Sequence, residues 1–296
     1  MRFRAHETFF IRKGWLSKGI KNVVADPAVF MGNSGNPMDV LGIGSNMVKS
    51  LRYWLQTVGL TTEPAYGKKE QSLTDFGKLV KKYDPYIEEL GTLWLIHYHL
   101  AKNLNDATSW YFFFNEFKLM EFDKDDFVRQ LSAFLRMQNE EVSERSLEDD
   151  YNCIINTYLS RMKSNPEKVQ PESNIDCPLG ELGLIDISNK KNKIYRKVSP
   201  KKETIHPLVV FAVIIDQACG AREIKISSLQ NDKLNIGKVF NMDIISLTSI
   251  LYELELLGFI KVVRTAGLDI IKINGDFSFI SSVEEYYKML NSRNGD

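Results

Sequence analysis

LGIGSNMVKSLRYWLQTVGL, residues 41–60, reads as a short turn, a capped amphipathic helix and a stop. Ser45 or Asn46 supplies the N-cap. Met47, Leu51, Trp54, Leu55 and Val58 recur at steps of three and four, so they share one face. Lys49, Arg52, Tyr53 and Gln56 fall on the other side, and Gly59 suits the left-handed residue that ends a helix. A polar, net-positive face behind a glycine-bearing turn is the pattern of the second helix of a helix-turn-helix. An ordinary surface helix with a solvated face has the same pattern, so the rest of the chain must decide between them.

Outward from this stretch, residues 1–83 are expected to form a basic winged-helix-like head. Arg2, Arg4, Arg12, Lys13, Lys18 and Lys21 stand against one acid, Glu7, over residues 1–24, and Phe3, Phe9, Phe10 and Trp15 are interleaved with them. Basic residues among aromatics suit a surface that meets phosphates and stacks on bases, although the same composition also fits a core helix with solvated lysines. Beyond the helix, Tyr66-Gly67-Lys68-Lys69 occupies the place of a wing tip that touches the phosphate backbone. The DNA-facing set is therefore Arg2, Arg4, Arg12, Lys13, Lys18, Asn46, Lys49, Arg52, Tyr53, Gln56, Lys68 and Lys69.

The formal charge of the whole chain is zero, so any nucleic-acid surface must be local. It is: residues 1–70 carry ten Lys+Arg against five Asp+Glu, net +5. Residues 84–150 carry six against fifteen, net −9. The acidic middle, residues 84–162, is expected to be helical. Thr92–Leu104 is apolar around most of its circumference, Trp110–Phe117 is dense in aromatics, and Leu119–Met137 and Val142–Met162 keep helical spacing. Residues 163–203 read as a linker with a small β element at 183–187 and 194–198. Residues 204–296 read as a second winged-helix-like module. Its third helix turns Ile244, Leu247, Ile250, Leu251, Leu254 and Leu257 inward and carries Ser246, Ser249, Glu253 and Glu255 outward. An acidic face repels phosphate, so this module is expected to serve packing or protein contact, with at most Arg264 of the following hairpin on DNA. The fold class is thus mainly α, with a winged-helix-like domain at each end of a helical middle.

The 296 residues leave room for two or three cores. Three dispersed cysteines, Cys153, Cys177 and Cys219, without a CxxC pair argue against a disulfide framework or structural zinc and for a reducing cytoplasm. Arg2 and Arg4 have no apolar run behind them, so no secretory signal is expected. The longest apolar run, Leu208–Ile215, falls far short of the about 20 residues a membrane span takes, so no membrane partner is expected.

The chain has no P-loop, dinucleotide fingerprint, HExxH or GxSxG pattern, so no nucleotide or organic cofactor is expected. His97 and His99 point about 200° apart on a helix and read as packed side chains rather than a metal pair. Glu148-Asp149-Asp150 reads as a helix start favouring the dipole. A metal-dependent nuclease needs carboxylates converging on Mg²⁺ or Mn²⁺. Glu7, Asp26 and Asp39 are the carboxylates the basic head offers as catalytic candidates, and capping or turn formation is the competing role for each.

Four blocks resemble the SspB-like family of proteins found beside bacterial DNA phosphorothioation genes. They are His6-Glu7-Thr8-Phe9 with Arg12 and Gly14-Trp15-Leu16; Gly42-Ile43-Gly44 with Asn46-Met47-Val48 and Arg52-Tyr53-Trp54-Leu55; Asp84-Pro85-Tyr86 with Gly91-Thr92-Leu93-Trp94-Leu95 and His97-Tyr98; and Pro178-Leu179 with Glu181-Leu182-Gly183-Leu184. Where the family pattern often has Lys, this chain has Ser45, which removes one phosphate contact at the start of the helix. The resemblance implies a DNA-acting protein of a phosphorothioation or phage-defence system, associated with nicking one strand of duplex DNA. It also implies a cysteine desulfurase, a sulfurtransferase and an ATPase as partners. It carries over no catalytic residues. The alternatives from residues alone are a non-catalytic DNA-binding adaptor or transcription regulator, and a protein scaffold.

Overall fold

Trp54 is fully buried and ties three distant segments together. Its Nε1–H donates to the Phe9 carbonyl at 2.9 Å. Its ring stacks on His6 at 6.0 Å between centroids and meets Trp110 edge-on at 5.4 Å. Buried aromatic rings with a satisfied polar handle dominate core energetics, and this cluster fixes the N-terminal segment against the helix that carries Trp54. The computed structural model describes residues 1–32, 35–159, 177–265 and 268–294.

Around this cluster run α1 (Trp15–Ala25), α2 (Pro37–Leu41), α3 (Ser45–Thr57), a hairpin of β1 (Thr61–Thr62) and β2 (Ser72–Leu73), and α4 (Asp75–Tyr83). Then come α5 (Leu90–Lys102), α6 (Thr108–Asn115), β3 (Glu121–Phe122), α7 (Lys124–Met137) and α8 (Glu144–Tyr158). After a 3₁₀ turn at Pro178–Leu182, β4 (Ile185–Asn189) and β5 (Ile194–Lys197) pair antiparallel, and β5 also pairs with β3 in the order β3-β5-β4. The chain continues with α9 (Pro207–Ala218), β6 (Glu223–Lys225), α10 (Ile226–Asn231), α11 (Ile236–Val239), α12 (Ile244–Leu256), the hairpin β7 (Ile260–Thr265)–β8 (Leu268–Ile273), and α13 (Phe279–Asn294). The sheet order there is β6-β8-β7. The protein is mainly helical with small sheets.

Contacts divide the chain into two compact units, Met1–Phe113 with Phe117–Val198, and Ser199–Asp296 with Phe114–Glu116. The basic and acidic stretches that charge separates in the sequence fall in the first unit, apart from Phe114–Glu116. Residues 160–176, which hold the end of the expected last middle helix and much of the expected linker, lie outside the described residues.

Local chemistry accounts for the helix ends. Asn36 caps α2 by accepting the Met38 N–H, Thr74 caps α4 by accepting the Gly77 N–H, and Asp123 forms a capping box with Asp126 at α7. Gly59 sits at φ +74 after α3, and a Cβ there would lie 2.5 Å from His99 Nδ1, so both backbone and packing require glycine.

Several expectations are corrected. Neither Ser45 nor Asn46 caps α3: Gly44 holds that position without a side-chain bond, and Ser45 is the first helical residue. Helical spacing over Leu119–Met137 hides β3, two residues that pair with β5 some 70 positions later, and α7 begins only at Lys124. Glu148-Asp149-Asp150 does not start a helix; α8 starts at Glu144 behind a Ser143 cap. Lys197, on the second strand of the expected small β element, departs from the exposure usual for lysine. It is buried, and its Nζ donates to the Phe113 and Phe117 carbonyls at 2.6 Å each, which gives the charge the partners burial demands. In the second unit Ile244 and Leu257, expected inward, are exposed.

Candidate nucleic-acid interface

A cleft of about 460 Å³ opens along the polar side of α3. The N-terminal segment contributes Arg2, Phe3, Ala5 and Glu7, α3 contributes Lys49, Arg52, Tyr53 and Gln56, and Glu63 closes it from the residue after β1. The Trp54–His6 stack holds the first wall against the second. His6 accepts the Thr8 N–H at Nδ1, 3.1 Å away, which leaves the ring proton on Nε2, 2.8 Å from Asp150 Oδ1. Asp150 is buried and also accepts the Arg4 backbone N–H (2.8 Å) and the Ser109 hydroxyl (2.6 Å). One carboxylate in the helical region thus pins the start of the chain, and with it Arg2 and Glu7, beside α3.

Within the cleft the cations differ in freedom. Arg52 is gripped by Glu63 through two parallel bonds, Nε–Oε1 at 2.6 Å and the second guanidinium nitrogen to Oε2 at 2.8 Å. Gln56 and Gln71 add donors to Glu63 Oε1 at 2.8 and 3.1 Å. Desolvation works against the Glu63 carboxylate, but the bonds from Arg52 and Gln71 outweigh it and hold its pKa below the ordinary value. Lys49 is exposed and reaches only Asn46 Oδ1, at 3.4 Å. Arg2 lies 5.3 Å above the Tyr53 ring, a cation–π contact that positions its guanidinium at the cleft wall. Tyr53 corrects the reading of α3: it is 5% exposed, its hydroxyl donates to the Asp106 carbonyl at 2.8 Å, and burial pushes its phenol well above the usual range. It is the floor under Arg2, not a free stacking ring.

The cleft therefore gathers Arg2, Lys49, Arg52, Tyr53 and Gln56 from the sequence-derived DNA set. The others lie elsewhere. Arg4 pairs with Asp149 at 2.8 Å. Arg12 rests on the Phe9 and Trp15 rings. Lys13 and Asn46 are exposed, and Lys18 donates to the Leu41 carbonyl at 3.1 Å. Lys68 and Lys69 occupy the loop between β1 and β2 beside Tyr66, which is 91% exposed. Lys69 Nζ is tied to the Pro64 and Ala65 carbonyls, and Lys68 Nζ lies 4.0 Å from Glu70.

Of the three carboxylates singled out for catalysis, Glu7 lines the cleft and the other two do not. Asp26 makes a local turn by accepting the Ala28 N–H at 2.9 Å, and Asp39 stands in the first turn of α2. Among the described residues no three His, Cys, Asp or Glu side chains converge on a point that would hold a metal. His97 packs with Nδ1 2.8 Å from the Tyr158 hydroxyl, and His99 stacks on Phe76 at 4.9 Å. The three cysteines are free thiols, with only Cys219 exposed. Among the described residues no helix is long and apolar enough to cross a membrane. A larger cavity of about 510 Å³ beside α7 and α8 presents Asp123, Asp125, Asn152 and Asn156, and its Lys124 is bonded to Glu148 at 2.8 Å. Lys193 lines it too, so its two carboxylates are matched by two lysines.

Sequence comparison decides the family: the model described as protein of unknown function DUF4007 matches residues 3–287. The chain belongs to the DUF4007 family. Its fold is that of SspB. A magnesium ion-bound SspB crystal structure superposes with a TM-score of 0.83 at 23% identity, covering 98% of this chain and 89% of that one. A second SspB crystal structure superposes with a TM-score of 0.82 at 24% identity, covering 99% and 88%. No curated protein matches the chain. The SspB-like resemblance carried by the four sequence blocks thus agrees with the fold and the family match.

The residues that sequence reasoning missed are Glu63 and Asp150. Glu63 had a local clue, a single acid between α3 and the Lys68-Lys69 loop. Asp150 had none, because its partners lie 41 to 146 positions away.

Proposed function

We propose that this DUF4007 chain is a DNA-binding component of a DNA phosphorothioation and phage-defence system, and that the α3 cleft receives the duplex backbone. The observation that carries this reading is the convergence of Arg2, Lys49 and Arg52, with Gln56 between them, in one concavity built from segments more than 40 positions apart. Lys49 and Arg2 meet phosphates, which supply most of the affinity of such surfaces. The β1–β2 loop, with Lys68 and exposed Tyr66, extends the contact as a wing. In the first unit α1 to α3 lead into a two-stranded hairpin, and in the second α9, β6, α10, α11 and α12 lead into the hairpin β7–β8, with sheet order β6-β8-β7. We read both as winged-helix-like modules. The SspB likeness supports the system assignment, with a cysteine desulfurase, a sulfurtransferase and an ATPase as cytoplasmic partners.

Nicking of one strand is the second reading, favoured by the magnesium ion of one SspB crystal structure. The donors in this cleft do not fit such an ion. Glu63 is consumed by Arg52, Gln56 and Gln71, which leaves Glu7 among cations, whereas Mg²⁺ takes one or two free carboxylates in near-octahedral oxygen coordination. No hydrolytic step is assigned to the cleft, and the non-catalytic DNA-binding role is preferred.

Two assays separate the readings. Anisotropy titration of a fluorescent duplex at low salt should show binding by the native chain and a loss of tenfold or more in Lys49→Glu. Equal affinity in the two would remove the cleft from DNA binding. Conversion of supercoiled plasmid to open circles with Mg²⁺ or Mn²⁺, abolished in Glu7→Gln, would reinstate the nickase.

A further inference from the structure

Glu63 fills a larger set of donors than a surface ion pair uses. Its Oε1 accepts Arg52 Nε at 2.6 Å, Gln56 Nε2 at 2.8 Å and Gln71 Nε2 at 3.1 Å, and its Oε2 accepts the second Arg52 nitrogen at 2.8 Å. Both glutamines are held by bonds that do not involve Glu63. Gln71 is fully buried and its Oε1 accepts the Thr61 hydroxyl at 3.2 Å, and Gln56 Nε2 also reaches the Arg52 carbonyl at 3.4 Å. A guanidinium fork backed by two fixed amides suits any oxyanion that presents two oxygens side by side, carboxylate and phosphate alike. This set opens on the cleft that Arg2 and Lys49 also line.

We infer, on the DNA reading above, that Arg52, Gln56 and Gln71 form a phosphate subsite of the cleft, which Glu63 fills in the free chain and vacates to a duplex phosphodiester. The exchange is like for like. A phosphodiester brings one negative charge and two free oxygens, as the carboxylate does, so Arg52 keeps a bidentate partner and neither amide loses its acceptor. With Glu63 in place the cleft lining is net +1, and its departure raises that to +2 for the incoming backbone. The chain carries Glu63 where it is able to leave. It is the first residue after β1, in a loop of residues 63–71 that holds no strand or helix. The pairs Thr61–Leu73 and Thr62–Ser72 lie outside that loop, so the hairpin survives the exchange. Other bonds of the loop are its own: Lys69 Nζ holds the Pro64 and Ala65 carbonyls, and Lys68 Nζ lies 4.0 Å from Glu70. Release of Glu63 therefore frees the segment that carries Tyr66 and Lys68 from α3 as one piece. Occupation of the cleft and movement of the loop become one event, because the ligand has a higher affinity for the state in which Glu63 is out.

The test uses the full chain carrying Cys219→Ser, which removes the exposed thiol. Nitroxides at Ala65→Cys in the loop and at exposed Glu88→Cys before α5 report the loop position by pulsed electron double resonance. Saturating duplex should shift their separation by more than about 2 Å. Glu63→Gln should show the shifted separation without DNA, stay folded by circular dichroism, and bind duplex several-fold more tightly. Duplex that binds the labelled chain without moving the loop, or with equal affinity in Glu63→Gln, would overturn the inference and leave the cleft reading standing. A chain that binds no duplex at low salt would remove both. A shift produced by inorganic phosphate alone and not by duplex would give the subsite to free phosphate and overturn its duplex occupant.

Discussion

Glu63 decides how much of the cleft's positive charge is available. It neutralises Arg52 at bonding distance while Lys49 and Arg2 remain open to a ligand. Glu63→Gln keeps the shape and frees the guanidinium, and it should raise duplex affinity several-fold and steepen its salt dependence. The same residue predicts a pH effect. Its folded pKa lies below the ordinary value of 4.5, so the ion pair stabilises the fold above that value, and this contribution is lost as pH falls through the folded pKa. Urea midpoints measured at pH 7 and pH 3.5 should therefore fall more in the native chain than in Glu63→Gln. Asp150 is a harder constraint. Asp150→Ala would leave His6, Ser109 and the Arg4 N–H unpartnered in the core, at a cost of about 3–5 kcal/mol by chemical denaturation. Neither role was legible beforehand, because a single acid announces neither a guanidinium across a turn nor an imidazole 144 positions away.

Among elements, α3 was the most legible. Its period and its glycine stop stand in the sequence and the structure keeps both, while of its polar face Lys49, Arg52 and Gln56 line the cleft and Tyr53 is buried. What periodicity could not show was the crowding of its polar side by the N-terminal segment, which buries Tyr53 and turns a flat face into a cleft. The strand β3 was illegible for a related reason: two residues carry no pattern, and their partner strand β5 lies far downstream. The stop after α3 offers a graded test. Gly59→Ala meets both a left-handed backbone and the His99 ring, and should cost about 2 kcal/mol or more. Gly42→Ala, at φ +60 with open space around it, should cost about 1 kcal/mol. The β1–β2 loop stands apart from the core, so Tyr66→Ala with Lys68→Ala should leave the melting temperature unchanged while lowering duplex affinity about fivefold.

For the whole molecule, zero net charge conceals a basic stretch and an acidic one. The basic residues 1–70 and the acidic residues 84–150, apart from Phe114–Glu116, lie in one compact unit, so the local field at the α3 cleft is set by the groups around it, not by the sum. The second unit exposes apolar side chains along α12, whereas α3 of the first carries cations. Charge bookkeeping along the sequence expected an acidic outer face on α12. It misplaced the outward face of α12, because Glu253 and Glu255 are turned to local partners and the side chains left outside are Ile245, Tyr252 and Leu256.

The salt dependence of duplex binding reads the phosphate contacts of the α3 cleft directly. Log affinity plotted against log salt concentration should be linear for the native chain, and Arg2→Ala with Lys49→Ala should reduce its slope by about 2 and its low-salt affinity by at least tenfold. A slope and affinity unchanged in the double variant, with the native fold retained, would contradict the assignment of the α3 cleft to DNA.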